Sequence, residues 1–173
     1  TYSLSATVFD DEASIPIGSG SAPYMGSFQP DGSLSDFDQE SMTGTWQLWV
    51  YSSTNESAYN LSITSWSVTV EYNNSTPSDP PTTSGTSYTG SSFSSSGAGV
   101  TTSDLVISDA GTILDINVEL NATGSYTNAL SNRDFKLISP YGTIVDLAVS
   151  SSFSGTYSLS ATVFDDEASI PIG

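Results

Sequence analysis

The sequence predicts an all-β fold, an antiparallel β-sandwich or jelly roll, and three observations favour this class. Several segments alternate apolar and polar residues with a period of two, which places the apolar side chains on one face of a strand. Turn signals such as Asp109-Ala110-Gly111 separate these segments. Ser and Thr supply 56 of the 173 residues and Lys occurs once, so the composition is typical of strands and turns rather than of long helices.

The alternating segments predict the individual strands and their inward faces. The clearest four span residues 2–8, 45–51, 65–72 and 112–120. In the last of these, Leu114 shares a face with Ile116, Val118 and Leu120. Trp46 and Trp66 begin alternating faces and are predicted core residues. Trp49 lies on the face opposite to Trp46, so we expect it at a surface contact or a subunit interface, with a sugar-stacking platform as the alternative.

The charge and the missing residue types exclude several classes of function. The formal net charge is −17, and Arg133 and Lys136 are the two basic residues. A chain of this kind does not bind nucleic acid through phosphate neutralisation, and no apolar run reaches membrane-spanning length. Without His or Cys, no Ser-His-Asp or Cys-His catalytic centre and no His or Cys zinc site can be built. We therefore expect a protein that is not an enzyme.

A long internal repeat frames the organisation of the chain. Residues 1–18 read TYSLSATVFDDEASIPIG, and residues 156–173 read the same without a substitution, which gives a period of 155 residues. The simplest explanation is a window cut from a longer tandem array of near-identical units. The alternative is a duplication introduced artificially at one end.

Composition divides the window into three segments. Residues 73–100 lack hydrophobic periodicity, hold three of the eight prolines and are rich in Ser and Thr, so they are predicted to be a linker. Residues 1–72 are then the C-terminal part of one unit, and residues 101–173 are the N-terminal part of the next. Because each part looks like half a domain, we expect each to pair with the complementary half of a neighbouring unit, with closure inside one chain as the alternative.

Five motifs carry a resemblance to a known family. Read in array order, they are L-I-S-P-x-G-T at 137–143, F-D-D-E-A at 164–168, S-G-S-A-P-Y at 19–24, G-T-W-x-L at 44–48 and S-W-S-V at 65–68. The chain resembles the P domain of proprotein convertases, also called the P/Homo B domain. The resemblance implies an eight-stranded jelly-roll sandwich, an extracellular location and no catalytic residues. The sequence departs from the family at 121–130, where a His-Thr and a Gly-Asp-Leu are usual.

Two acidic groups are candidate calcium ligands. Asp10-Asp11-Glu12 ends an alternating segment and recurs as Asp165-Asp166-Glu167, while Asp36, Asp38 and Glu40 are spaced by two. Carboxylate oxygens are ligands that calcium prefers, and adjacent like charges repel unless a cation or water shields them. The predicted metal ligands are Asp10, Asp11, Glu12, Asp36, Asp38, Asp165, Asp166 and Glu167. The alternative is a solvated acidic surface.

Asn-x-Ser/Thr sequons are the other candidate sites. They occur at Asn55, Asn60, Asn73, Asn74 and Asn121, and in a secreted protein they would be surface glycan acceptors.

Three functions follow as hypotheses. The first is a structural subunit of an extracellular fibre, stalk or adhesin-like array, calcium-stabilised, whose partners are identical neighbouring units. The second is a non-catalytic accessory module of a large secreted subtilisin-like protease. The third is a carbohydrate-binding module that uses Trp49 and exposed tyrosines.

Overall fold

The fold was analysed in a computed structural model. The structure describes residues 2–3, 7–20, 24, 26–55, 59–74, 83–124 and 129–153. The second copy of the repeat, with Asp165, Asp166 and Glu167, lies outside these residues.

The described residues form an all-β sandwich, which confirms the predicted fold class. Eleven strands make two sheets that pack face to face, one of seven strands and one of four. The strands are β1 Tyr2–Ser3, β2 Thr7–Phe9, β3 Gly26–Phe28, β4 Gly44–Ser52, β5 Leu61–Asn73, β6 Thr83–Gly90, β7 Phe93–Ser95, β8 Gly99–Ile107, β9 Thr112–Gly124, β10 Arg133–Ile138 and β11 Ile144–Ala148. In the part of the chain that is described, no helix has the length and apolarity needed to cross a membrane.

The two sheets have different strand orders. The larger sheet runs β3-β2-β9-β5-β6, with β1 also paired to β9 and β7 also paired to β5; the smaller runs β11-β10-β4-β8. Every pairing is antiparallel except that of β2 with β3, which is parallel. The 3-10 helix Ile17–Ser19 lies between β2 and β3, Leu34–Phe37 lies between β3 and β4, and Ser150–Ser152 follows β11.

The core lies between the sheets and contains the two tryptophans predicted for it. Trp46 and Trp66 are almost completely buried. The indole N–H of Trp46 donates to the backbone carbonyl of Met42 at 2.9 Å, and that of Trp66 donates to Ser103 Oγ at 3.1 Å. Buried indoles usually find such partners, because an unpaired N–H in an apolar core costs free energy.

The two predicted half-domains close on each other within one chain. β5 pairs with β9 along almost its whole length, and Trp66 lies opposite Leu120. β4 pairs with both β8 and β10, so it sits between two strands from the other half. The expectation that each half is completed by a neighbouring unit is therefore wrong for this chain. The two halves have complementary apolar faces, and because one chain carries both halves, they pair with each other.

The prediction that residues 73–100 are a linker is also wrong for residues 83–100. β6 pairs with β5 from Thr83 to Gly90, β7 pairs with β5 as well, and β8 begins at Gly99. A Cβ built on Gly90 would lie 2.0 Å from the Trp66 ring, so this glycine allows close packing against the indole. The segment lacks an apolar alternation because β6 is an edge strand that contributes few side chains to the core.

One predicted inward residue faces the solvent. Leu114 is 40% exposed, while Ile113 and Ile116 are buried. The register between β5 and β9 shifts between Glu71 and Tyr72, which marks a β-bulge. An extra residue in one strand reverses the alternation beyond it, and the sequence pattern does not show where that occurs.

Candidate functional site

The acidic segment Asp10-Asp11-Glu12 follows β2 and turns the chain away from the sheet. Asp10 is fully buried, and its Oδ1 accepts a hydrogen bond from the backbone N–H of Glu12 at 2.7 Å. The N–H of Ala13 donates to the carbonyl of Asp10 at 3.3 Å. An Asp side chain that bonds the backbone two residues ahead forms an Asx turn. The carboxylate of Asp10 therefore stabilises the turn itself.

Asp11 caps the 3-10 helix Leu34–Phe37 from a distant part of the sequence. Its Oδ1 accepts the N–H of Leu34 at 2.9 Å, and its Oδ2 accepts the N–H of Ser35 at 2.9 Å and the hydroxyl of Ser33 at 2.8 Å. Ser33 occupies the N-cap position, but its side chain makes no capping bond there. A carboxylate satisfies the first N–H groups of a helix and is attracted by their partial positive charge. Asp11 thus fixes β2 to the loop that follows β3.

Asp36 and Asp38 lie on and just after this helix, and both are exposed. Desolvation, followed by the negative charge of Asp11, raises the pKa of the Asp38 carboxyl above its usual value. A negative charge nearby disfavours ionisation of a carboxyl group. Asp11 and Asp38 therefore influence each other electrostatically, while the hydrogen bonds of Asp11 are directed to the helix end.

The remaining acidic candidates are arranged separately. Glu12 is exposed, and the Oε1 of Glu40 accepts a hydrogen bond from the hydroxyl of Thr143. Within the described residues, no group of three or more acidic side chains is arranged to hold a metal ion. Calcium binding by the acidic residues therefore stays a prediction. What the structure assigns to Asp10 and Asp11 is the stabilisation of a turn and of a helix end.

Two further capping carboxylates were missed by the sequence analysis. Asp31 Oδ2 accepts the N–H of Val149 at 2.8 Å and the hydroxyl of Ser152 at 2.6 Å. Asp134 Oδ1 accepts the N–H of Ser150 at 2.7 Å. Both bind the 3-10 helix Ser150–Ser152, although Asp31 lies more than a hundred residues away in sequence. No local spacing in the sequence could have revealed these bonds.

The sequons occupy unlike positions. Asn55, Asn60 and Asn74 are exposed, and Asn73 is half-buried at the end of β5. Asn121 lies within β9, where its Nδ2 donates to Ser65 Oγ at 2.9 Å and to Glu119 Oε1 at 3.1 Å. A glycan on Asn121 would have to displace these bonds, because it is attached at the same nitrogen. Glycosylation at the five positions stays a prediction.

Arg133 is a buried cation at the start of β10. Its Nη2 donates to the carbonyl of Tyr59 at 2.6 Å and to that of Ser95 at 3.4 Å, and its Nη1 donates to that of Asn132 at 3.4 Å. Burial lowers the pKa of the guanidinium from its usual value. A guanidinium that bonds carbonyls from three separate segments ties them together. Arg133 thereby joins β10, β7 and the loop before β5.

The outer face of the smaller sheet carries an aromatic pair. The rings of Trp49 and Tyr51 stack with centroids 6.0 Å apart, and the ammonium of Lys136 lies 5.5 Å from the Trp49 ring centroid. Lys136 also forms an ion pair with Asp146 on the next strand. The Trp49 ring thus has an aromatic neighbour on its own strand and a cationic neighbour on β10. The arrangement places Trp49 at the surface, on the face expected from the sequence.

An open cleft lies at the end of the larger sheet where β5, β7 and β9 approach each other. Its volume is about 620 Å³, and its lining consists of Asn60, Leu61, Ser62, Ser94, Ser96, Thr123 and Gly124. These described lining residues carry hydroxyl and amide groups but no charged side chain and no aromatic ring. Among the lining residues that the structure describes there is therefore no acid–base pair of the kind used in hydrolysis.

Comparison of the chain with protein-family models, with curated proteins and with solved structures finds no match. The resemblance to P domains consequently stays a prediction that rests on the five motifs.

Proposed function

We propose that this chain is the repeating structural unit of an extracellular array, such as a fibre or a stalk, in which the partners of each unit are identical neighbours. The observation that carries the proposal is the match between the domain and the repeat. The sandwich uses residues up to Phe153, and the second copy of TYSLSATVFDDEASIPIG begins at Thr156. We infer that one period of 155 residues corresponds to one sandwich.

The match between period and domain changes the expected array. Because β6 and β7 belong to the sandwich, residues 73–100 are not a free linker, and we propose that each unit continues directly into the next, since only Ser154 and Gly155 separate the last described residue from the second copy in the sequence. A globular unit of this size is about 40 Å across. So short a connection forces neighbouring units into contact and limits the angles between them. We therefore propose a stiff array with a regular repeat.

The outer face of the smaller sheet is the surface best suited to contact between units. Val100, Val106 and Ile144 are 53%, 71% and 56% exposed there, and Tyr51 is 37% exposed. Tyr51 and Val100 lie directly opposite each other on β4 and β8, whereas Val106 is near the other end of β8 and Ile144 is on β11, the opposite edge strand of this sheet. Exposed apolar side chains distributed over one sheet face are candidate contacts with a partner. In a head-to-tail array each contact joins two different surfaces of the unit, so this face would pack against another surface of the neighbouring unit.

The strong negative charge gives calcium a role in this proposal. Units that each carry many carboxylates repel one another, and the repulsion falls as salt or divalent cations screen it. A non-catalytic role agrees with the absence of His and Cys from the sequence.

The test compares single, double and triple copies of the 155-residue unit by small-angle X-ray scattering. For a stiff array, the maximum dimension should increase by the same increment, about 40 Å or less, with each added unit. The matched control carries a 28-residue Gly/Ser linker between units, which should give a longer and variable spacing. Scattering curves that cannot be distinguished from those of the control would contradict the proposal.

A further inference from the structure

The first copy of the repeat fills a defined slot in the larger sheet. The slot is the strip between β9 and β3 that residues 7–18 occupy. β2 pairs antiparallel with β9, where Phe9 lies opposite Val118, and parallel with β3, where Phe9 lies opposite Phe28. β1 extends the contact with β9 as far as Gly124. Without this segment, β9 and β3 would each present an unpaired edge.

The segment in the slot is held by its side chains as well as by its backbone. Phe9 and Ile17 are fully buried, and Ala13 is nearly so. The backbone N–H of Ile17 donates to the carbonyl of Gln29 at 3.0 Å, and the hydroxyl of Thr7 donates to the carbonyl of Tyr24 at 3.2 Å. Burial of a Phe and an Ile each contributes about 1.5–3 kcal/mol to stability. The slot is therefore a substantial part of the core.

A second segment in the same chain has the identical sequence. Residues 162–173 repeat residues 7–18 in every position, so each contact that the first copy makes is available to the second. Among the described residues there is one slot of this kind, and the first copy occupies it. A sandwich with the first copy in the slot and a sandwich with the second copy there would then differ in free energy only through the chain segments that connect each copy to the slot.

The last described residues lead to the slot. The Phe153 ring packs edge to face against Tyr24 with centroids 5.5 Å apart, and a Cβ on Gly18 would lie 3.7 Å from Ser152 Cβ. Gly18 ends the first copy, and the second copy begins three residues after Phe153. A short tether of this kind gives the second copy a high effective concentration at the slot.

We propose that residues 156–173 are a second, interchangeable occupant of this slot in their own chain, so that the sandwich closes with either copy. When the second copy is bound, residues 1–18 are released and can enter the slot of the unit before them. The boundary between consecutive units then lies either before residue 1 or before residue 19. The exchange within one chain concerns one sandwich and is tested independently of the extracellular array, whereas entry of residues 1–18 into a preceding unit rests on the proposed array.

The experiment uses the full chain with Phe9→Ala, with the matched Phe164→Ala, and with both changes. Loss of a buried Phe side chain lowers the melting temperature of a domain of this size by about 10 °C. The double variant should show this loss. Phe164→Ala should leave the melting temperature unchanged, and Phe9→Ala should lower it by less than half as much as the double variant. If Phe9→Ala alone causes the whole loss, the second copy does not enter the slot and the proposal is overturned.

A disulfide reports the position of the second copy directly. The register places Val8 opposite Glu119, and Val163 is the equivalent of Val8 in the second copy. The chain has no cysteine, so Val163→Cys with Glu119→Cys introduces a single possible pair. In the Phe9→Ala background, we expect an oxidised product with the mass of a monomer. Failure to form it, or formation only in covalent dimers, would overturn exchange within one chain.

Discussion

β9 and β6 belong to the same sheet, but different interactions determine the position of each strand in it. β9 has thirteen residues, lies between β2 and β5, and buries an apolar side chain at most alternate positions. β6 has eight residues, lies at the edge and pairs with β5 alone. The amphipathic pattern of β9 determines its inward face wherever it pairs, whereas β6 is positioned by the strand beside it. A segment without a pattern of its own can therefore still belong to the fold.

The acidic turn is a second segment whose role is set by its partners. Asp10-Asp11-Glu12 is uniform in charge, but the three side chains differ in environment: one is buried in a turn, one caps a helix and one is exposed. Like β6, the turn is defined by the groups that the fold brings to it. Four changes test this contrast, in order of decreasing effect.

The largest effect is expected at Arg133, which ties β7 to the rest of the sandwich. Arg133→Met removes the donors to the partly buried carbonyl of Tyr59 and to the buried carbonyl of Ser95. An unsatisfied buried acceptor costs about 1–3 kcal/mol, so we expect a loss of about 3 kcal/mol in the free energy of unfolding, measured by urea denaturation. The control is Lys136→Met in the same strand, which should cost less than about 1 kcal/mol because that side chain is partly exposed. Equal losses would remove the special role of Arg133.

The next effect concerns the contact that positions β6. Gly90→Ala places a Cβ against the Trp66 ring, and overpacking of this kind costs about 1–3 kcal/mol. Gly85→Ala is the matched control, because its Cβ would come no closer than 3.9 Å to Glu71. We expect denaturant midpoints that differ clearly between the two variants. Identical midpoints would mean that β6 does not pack on Trp66.

A smaller effect separates helix capping from calcium binding. Asp11→Ala, made together with Asp166→Ala so that both copies carry it, removes three hydrogen bonds to the 3-10 helix and should cost about 1–2 kcal/mol. Capping predicts the same loss in calcium and in excess chelator. The control is Glu12→Ala with Glu167→Ala, which should change stability by less than about 0.5 kcal/mol.

Calcium binding would produce a different pattern in the same melting experiments. The unmodified chain would melt several degrees lower in chelator than in calcium, because a metal that binds the native state stabilises it. The Glu12 control would then lose stability only when calcium is present. Superimposable melting curves with calcium and with chelator would eliminate the predicted calcium site.

The smallest effect is the pH dependence that arises from Asp38. The pKa of Asp38 is raised in the folded state, so the folded state binds the proton more tightly than the unfolded state does. The resulting stability is complete below the unfolded pKa and is lost as the pH rises through the folded pKa. Asp38→Asn should therefore raise the melting temperature slightly at pH 7 and have no such effect near pH 3. A shift that is the same at both pH values would not arise from this carboxylate.

The sequence by itself determined the fold class, much of the core and the repeat. The alternation in β4, β5 and β9 identified the inward faces, including Trp46 and Trp66, because a period of two is a local property of a strand. It also located the acidic segments and the identical copies at 1–18 and 156–173. These features can be read without knowledge of what lies across the sheet.

Only the tertiary structure decided how the pieces combine. It joined the two predicted halves through β5 and β9, made strands of residues 83–95, and turned Leu114 outward at a bulge. It also gave Asp11 a helix end to cap and surrounded Arg133 with three carbonyls. Each of these outcomes depends on partners that are distant in sequence, because pairing energies are decided by the full set of strands that compete for the same edges.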